Sequence, residues 1–296
     1  MSQPTPSLQT WMTLGRISNL PTVWTNALAA ALLASSASAL APPSPLAWAL
    51  LLAAASALYL AGMLLNDLMD ADWDSRHHNP RPIALGLVTR QQVALASAAL
   101  LLLAAAALLG LSRQLEHPGW LLGSAALLLG LIVAYNLLHK RHAHSVWLMG
   151  GCRAALYLTA AASLAAPPAP LWLCALLLGT YISGLTYVAR QEHLNQLASL
   201  APVLLMLSPL ALAVYAQGLW FWPLLALWLG WLCLSYRRHL ANPERRNVRA
   251  FIGAGLTALP LIDAMVLALA GQPLGSLACV GVFLLLPRLQ QWVKPT

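Results

Sequence analysis

Residues 66–74 read NDLMDADWD, four aspartates in nine positions of a chain that holds only eight acidic residues. They follow LAWALLLAAASALYLAGMLL, twenty residues without a charge. On a helix, at about 100° per residue, Asp70 and Asp74 lie about 60° and 20° to one side of Asp67, and Asn66 borders that face at about 100°. Asp72 points about 140° the other way. Three carboxylates on one face need company: two unit charges about 4 Å apart repel by about 4 kcal/mol at an effective dielectric near 20. Oxygen donors of this kind suit Mg²⁺, which takes one or two carboxylates and completes its shell with substrate phosphates. The alternative is a solvated helix end paired with the arginines of the following DSRHHNPRP.

The element that must position these acids is an apolar helix ending at a membrane surface. The chain has 296 residues, 60% hydrophobic and 8% charged, against roughly 25% charged for a soluble domain. Apolar runs of about 20 residues, enough to cross about 30 Å of hydrocarbon, recur near 18–40, 46–66, 91–111, 119–138, 145–165, 170–190, 199–217, 219–236, 250–270 and 274–288. The expected fold is all-α, a polytopic bundle of nine to ten transmembrane helices forming one unit over residues 1–296, with no polar linker to divide it. The runs are continuous rather than alternating, which excludes a β-barrel.

A net charge of +8 raises the question of nucleic acid, and the positions of the charges answer it. With the N-terminus in the cytoplasm and the loops assigned alternately, fourteen of the sixteen Lys and Arg residues, Arg288 and Lys294 among them, fall inside. Only Arg113 falls outside, and Arg153 lies within a span. This is the positive-inside pattern, so the basicity orients the chain in an inner membrane, with the aspartates facing the cytoplasm, and no nucleic-acid partner is implied. Cys152, Cys174, Cys233 and Cys279 each sit in an apolar run without CxxC spacing and read as small buried hydrophobes. The first run, interrupted by PTVWTN, reads as an uncleaved helix.

Two Pro-rich turns, APPSP at 41–45 and APPAP at 166–170, repeat at an offset of 125. The same offset carries Arg16 onto Arg141 and NDLMD onto QEHLN, setting Asn66, Asp67 and Asp70 opposite Gln191, Glu192 and Asn195. Helices one and two therefore read as duplicated in helices five and six, with a second, weaker polar site facing the first.

NDLMDADWD resembles the NDxxDxxxD motif of the UbiA superfamily of intramembrane prenyltransferases, through Asn66, Asp67, Asp70 and Asp74. RHHNPRPIALG resembles the same family's segment ending in RP-[LI]-x-x-G, through Arg81, Pro82, Ile83 and Gly86, and YNLLHKR at 135–141 resembles its Tyr-to-Lys-Arg segment, with one extra residue between Tyr135 and Lys140. The resemblance implies a bundle of about nine helices around a cavity open to the lipid, in which Mg²⁺ holds a polyprenyl diphosphate while its allylic bond ionises. A small acceptor, usually aromatic, then captures the carbocation, making the enzyme a transferase of an alkyl group larger than methyl. It implies Asp67, Asp70, Asp74 and Asn66 as the catalytic set, with Glu192 as a further metal ligand. Arg81, Lys140, Arg141, Arg76 and Arg190 form the implied diphosphate cage. The chain departs from the family after helix six, where a second aspartate pair is replaced by QEHLN with its single Glu192, the mark of a divergent branch.

Other constellations carry less. HKRHAH at 139–144 has no cysteine or carboxylate beside it and reads as a basic loop near headgroups or phosphate. Arg153 and Asp263 are lone charges within spans, costly unless paired or turned to a cavity. Tryptophans near span ends read as interfacial anchors. Against the prenyltransferase stand a non-catalytic prenyl- or lipid-binding or transport protein on the same fold, favoured by QEHLN, and an ion-coupled transporter, which nothing specific favours because the acids lie at a span end. A CDP-alcohol phosphotransferase would need a DGxxAR core, which is absent.

Overall fold

The computed structural model describes residues 5–77, 81–197 and 199–293; His78, Asn79 and Pro80 of the RHHNPRP motif and the basic Lys294 lie outside these. Among the described residues the chain is helical throughout, in the order α1 (Leu8–Leu14), α2 (Leu20–Ala37), α3 (Pro45–Arg76), α4 (Arg90–Ser112), α5 (Gly119–Leu138), α6 (Val146–Ala161), α7 (Ala169–Ala189), α8 (Ala201–Leu205), α9 (Phe221–His239), α10 (Val248–Thr257), α11 (Leu259–Leu269) and α12 (Pro273–Trp292). Six stretches are long and apolar enough to cross a bilayer unaided: α3, α4, α5, α7, α10 with α11, and α12. That is fewer than the nine to ten counted from the apolar runs, and the reasons are local. The run at 199–217 breaks into α8 and an eight-residue 3₁₀ segment, Ser208–Tyr215. Pro209 has no N–H to offer the carbonyl four residues back, so the α-helix cannot continue through it. The run at 145–165 yields only the sixteen residues of α6.

Helix α3 explains why the aspartates stand where they do. Ser44 caps it, its Oγ accepting from Ala47 N at 3.2 Å, and Pro45 occupies the first turn. Thirty-two residues at 1.5 Å each make a helix about 48 Å long, about 18 Å more than the hydrocarbon needs. The surplus is about three turns, and the 66–76 segment fills it.

The offset of 125 is visible in the helix boundaries. Moved by that amount, Leu20–Ala37 becomes 145–162, against the observed Val146–Ala161. Pro45–Arg76 becomes 170–201, but α7 runs only Ala169–Ala189. The second copy ends before it reaches QEHLN.

Helices α2, α3, α5, α6, α7 and α10 enclose a cavity of ≈ 210 Å³. Its wall is mostly aliphatic, with Tyr59, Tyr135 and Arg153 set among residues such as Leu128, Ile132 and Leu156. Helices α6 and α7 close one side at unusually short range: a Cβ placed on Gly150 would stand 2.2 Å from Gly179 O and 2.2 Å from Ser183 Oγ. Of the four cysteines, all free thiols, Cys174 and Cys279 are buried as expected, Cys152 is half-buried in the cavity wall and Cys233 is exposed.

Candidate functional site

The face assignment holds. Asn66, Asp67, Asp70 and Asp74 are buried, while Asp72 is exposed and pairs with Arg90 across the surface. Asp67 and Asp70 meet groups from other segments of the chain. Arg16 Nη2 lies 3.5 Å from Asp67 Oδ1 and donates to Asn66 Oδ1 at 3.4 Å. Asn66 Nδ2 in turn donates to Asn136 Oδ1 at 3.1 Å, and Asn136 Nδ2 to Gly62 O at 3.4 Å, which ties α3 to α5 at the motif. Asp70 Oδ2 is 3.1 Å from His139 Nε2 and 3.4 Å from Lys140 Nζ. Lys140 also stands over the Trp73 ring, 3.9 Å from its centroid, a cation–π contact that keeps the ammonium beside the acid.

Arg16 reaches the cluster by a local distortion. It adopts a left-handed conformation, φ 42°, between α1 and the 3₁₀ turn Ile17–Asn19, a strained backbone for a side chain of this size. Asn19 N and Tyr59 Oη both donate to its carbonyl, at 2.9 and 3.1 Å, and hold the turn. Arg16 and Asn136 also line the apolar cavity, so the acidic face and the cavity share two residues.

Arg81 approaches from the segment after α3. Burial and the Arg16 guanidinium push its pKa down, and the carboxylates of Asp67, Asp74 and Glu192 act in the opposite sense. It therefore lies within electrostatic range of all three acids. The motif's glycine has a backbone role: Gly86 sits at φ +69°, in the left-handed region that glycine enters without penalty. Leu87 N closes the turn onto Pro82 O at 3.0 Å, and Leu85 N onto Arg81 O at 2.9 Å, so the R-P-x-x-x-G pattern is the turn that carries Arg81.

The remaining residues of the proposed cage stand elsewhere. Arg76 is exposed and its Nε donates to Asp72 O at 3.1 Å, away from the buried face. Arg141 is exposed in the turn after α5. Arg190 Nη1 donates to His139 O, His142 O and Ser145 Oγ at 2.7, 3.0 and 3.0 Å, so it pins the loop that bears His139 and Lys140. Glu192 Oε1 accepts from Arg249 Nε at 2.5 Å. Three contacts were not read from the sequence: Arg16, Asn136 and His139. His139 opens HKRHAH, and both His139 and Asn136 fall within the Tyr-to-Lys-Arg segment at 135–141.

The two lone intramembrane charges are joined through an amide. Arg153 Nη1 donates to Asn26 Oδ1 at 2.8 Å and Nη2 to Thr22 Oγ1 at 3.0 Å; Asn26 Nδ2 donates to Asp263 Oδ2 at 2.7 Å. Tyr157 Oη donates to the other Asp263 oxygen. The network locks α2, α6 and α11 together beside the cavity, and Arg153 is also part of the cavity wall.

The chemistry of the donors bears on which cation they fit. Asp67, Asp70 and Asp74 offer only oxygen, on one buried face with Arg16 and Lys140 beside it, and this suits a hard divalent ion. Among the described residues no three carboxylate, histidine or cysteine groups already converge as a metal cluster; Arg16, His139 and Lys140 hold the acids instead. Glu192, alone and neutralised by Arg249, does not offer a second such site.

A model of the UbiA prenyltransferase family matches residues 23–257, about four-fifths of the chain. The chain belongs to the UbiA prenyltransferase family. Two solved structures agree with its fold. One, from a study of digeranylgeranylglyceryl phosphate synthase in membranes, superposes with a TM-score of 0.58 at 19% identity, covering 90% of this chain and 98% of that one. The other, the apo structure of a UbiA homolog from Aeropyrum pernix K1, gives 0.54 at 18% identity over 91% and 96%. A search of curated proteins finds no match. This member of the family is an integral membrane protein, with NDLMDADWD at the end of the longest helix among the described residues.

Proposed function

We propose that this protein transfers a prenyl group from a polyprenyl diphosphate to a small acceptor, aromatic or other, in a Mg²⁺-dependent reaction within the membrane. The observation that carries the reading is the junction of the acidic face, through Asn66 and Asp67, with the apolar cavity through Arg16 and Asn136. Charge is concentrated at one end, where a diphosphate must be held, and the aliphatic volume adjoins it, where a prenyl chain must lie.

In this reading Asp67, Asp70 and Asp74 hold the ion. Mg²⁺, when bound, neutralises the charge that builds on diphosphate as it leaves. Arg81 and Lys140 stand ready for phosphate oxygens, Arg81 as a planar fork and Lys140 as a point charge steered by Trp73. As the allylic bond breaks, the cavity keeps water from the cation, and the rings of Tyr59 and Tyr135 in its wall favour positive charge. Asn66 and Asn136 fix the pitch of α3 against α5, so that the acids keep their face. Arg76 and Arg141 serve as outer charges that attract the diphosphate, and Arg190 acts by holding the His139–Lys140 loop. Nine to ten crossings, with the acids toward the cytoplasm of an inner membrane, is the topology that goes with this reading.

Purified protein incubated with Mg²⁺ and a panel of labelled prenyl diphosphates of increasing length should release diphosphate, and EDTA should stop it. A second reading, a prenyl-binding protein without turnover, draws on the Glu192–Arg249 pair. Under it, prenyl diphosphates bind but no diphosphate is released with any acceptor offered.

A further inference from the structure

The second acidic position of this chain already has a cation. Arg249 Nε donates to Glu192 Oε1 at 2.5 Å. Asn195, where the repeat would place another acid, is in a left-handed conformation at φ 47° and faces the same strand of chain. Its Nδ2 donates to Arg246 O at 2.7 Å and its Oδ1 accepts from Val248 N at 3.0 Å. The end of α7 and the start of α10 are stapled there, and Arg249 is fixed by that staple. The pair is not remote from the first site: Arg190, two residues before Glu192, donates to His139 O at 2.7 Å, and His139 and Lys140 meet Asp70.

We propose that Arg249, positioned by Glu192, takes the place of a second metal ion, so that this protein grips a diphosphate with one divalent cation and one built-in guanidinium. The inference rests on the prenyl-diphosphate reading above. A diphosphate monoester carries up to three negative charges, more than one divalent ion neutralises. Arginine stays protonated at every working pH and presents N–H groups in a fork that matches phosphate oxygens. Arg249 commits Nε to Glu192, which leaves its Nη groups for the anion. A single carboxylate in a neutral pair is a poor ligand for a divalent ion, but a good positioning group for an arginine.

The test counts ions and measures affinity separately. Purified protein is titrated with Mn²⁺ in the presence of saturating geranyl S-thiolodiphosphate, and bound Mn²⁺ is counted by electron paramagnetic resonance. One ion per chain is expected. Arg249→Gln should weaken thiolodiphosphate binding about tenfold at saturating Mn²⁺, the usual scale for a lost charge-assisted contact, with the count still one. Arg249→Lys, which keeps the charge, should recover most of that loss. Arg249→Asp, which sets a second acid beside Glu192, should raise the count to two. Two ions in the unaltered protein, or unchanged affinity in Arg249→Gln, would overturn the proposal and leave prenyl-diphosphate binding standing. Failure of the unaltered protein to bind the thiolodiphosphate at any Mn²⁺ concentration would overturn both readings.

Discussion

Replacing each aspartate of the motif by asparagine separates the buried face from the exposed one. Asp67, Asp70 and Asp74 bring three negative charges, and Arg16, Arg81 and Lys140 bring three positive ones, so the cluster is balanced before any ion arrives. Removing one carboxylate leaves a net charge of +1 facing an incoming divalent cation. Two unit charges 4 Å apart are worth about 4 kcal/mol at an effective dielectric near 20, and twice that for a divalent ion. Relief of repulsion among the remaining acids and screening at the membrane surface take back part of it. About 3 kcal/mol is a reasonable net loss, or roughly a hundredfold in Mg²⁺ affinity. Asp67→Asn should lie at the upper end, because it strips the half-buried Arg16 of its carboxylate, whereas the Lys140 released by Asp70→Asn is 39% exposed and screened by water. Asp72→Asn should leave the affinity within twofold, since Asp72 faces solvent and its pair with Arg90 is exposed, where ion pairs are worth little. Calorimetric titration of Mg²⁺ into the detergent-solubilised protein gives the numbers, with circular dichroism to confirm that each variant is folded. Equal losses for Asp72→Asn, or no loss at Asp67 and Asp70, would refute the argument that one helical face holds the ion.

Packing, the intramembrane network and topology can be tested in the same preparations. Gly150→Ala should destabilise by about 3 kcal/mol or more, because its Cβ meets the Gly179 carbonyl at 2.2 Å and backbone cannot step aside; Gly130→Ala, with nothing within 4 Å, should be neutral or stabilising by up to about 1 kcal/mol, and fluorescence-monitored melting reads both. Asp263→Asn should cost about 3–5 kcal/mol by stranding Arg153, and adding Arg153→Gln should recover more than half of it; additive losses in the double-mutant cycle would mean that Asn26 does not couple the two charges. Cysteines introduced at the exposed Ser75 and Asn242, in a background without the exposed Cys233, should resist an impermeant thiol reagent in intact cells and react after permeabilisation; labelling from outside would reverse the topology.

How much of this was legible depends on the range over which each residue acts. The buried triplet and the outward Asp72 follow from the period of one helix, and α3 keeps that period through residue 76. Arg81 and Gly86 were legible for a similar reason, because the turn between them closes on its own backbone. Arg16, Asn136 and His139 were not, since each meets the 66–74 motif only after α1, α2 and α5 have packed against α3; nothing within their own segments separates them from orienting charges or a loop. Among the described residues only six of the ten apolar runs form helices long and apolar enough to cross unaided, because hydropathy sums composition and ignores hydrogen-bond geometry. The window at 199–217 is as apolar as its neighbours, yet Pro202 and Pro209 limit it to five α-helical residues and a 3₁₀ stretch.

The same contrast explains how two helix pairs related by the offset of 125 come to end in different polar clusters. In the first copy the helix overshoots the bilayer, so the i, i+3 and i+7 positions of NDLMDADWD stay on one face and three carboxylates converge. In the second copy α7 stops at Ala189, three residues short of the position matching Asp67. The residues that follow form the 3₁₀ turn Glu192–Leu194 and then the left-handed Asn195. Three residues per turn would stack positions i and i+3, but Asn195 leaves the turn with a left-handed backbone and its side chain is taken up by Arg246 O and Val248 N, so the 3-spacing of Glu192 and Asn195 does not repeat that of Asp67 and Asp70. An aspartate at 195 would inherit the staple, not the helical face: it could accept from Val248 N but could not donate to Arg246 O. Asn195→Asp should therefore loosen the junction of α7 with α10 and gain no ion, and a second bound Mn²⁺ in that variant would show that the helix-length argument is wrong. The identity of the acids matters less here than the length of the helix beneath them.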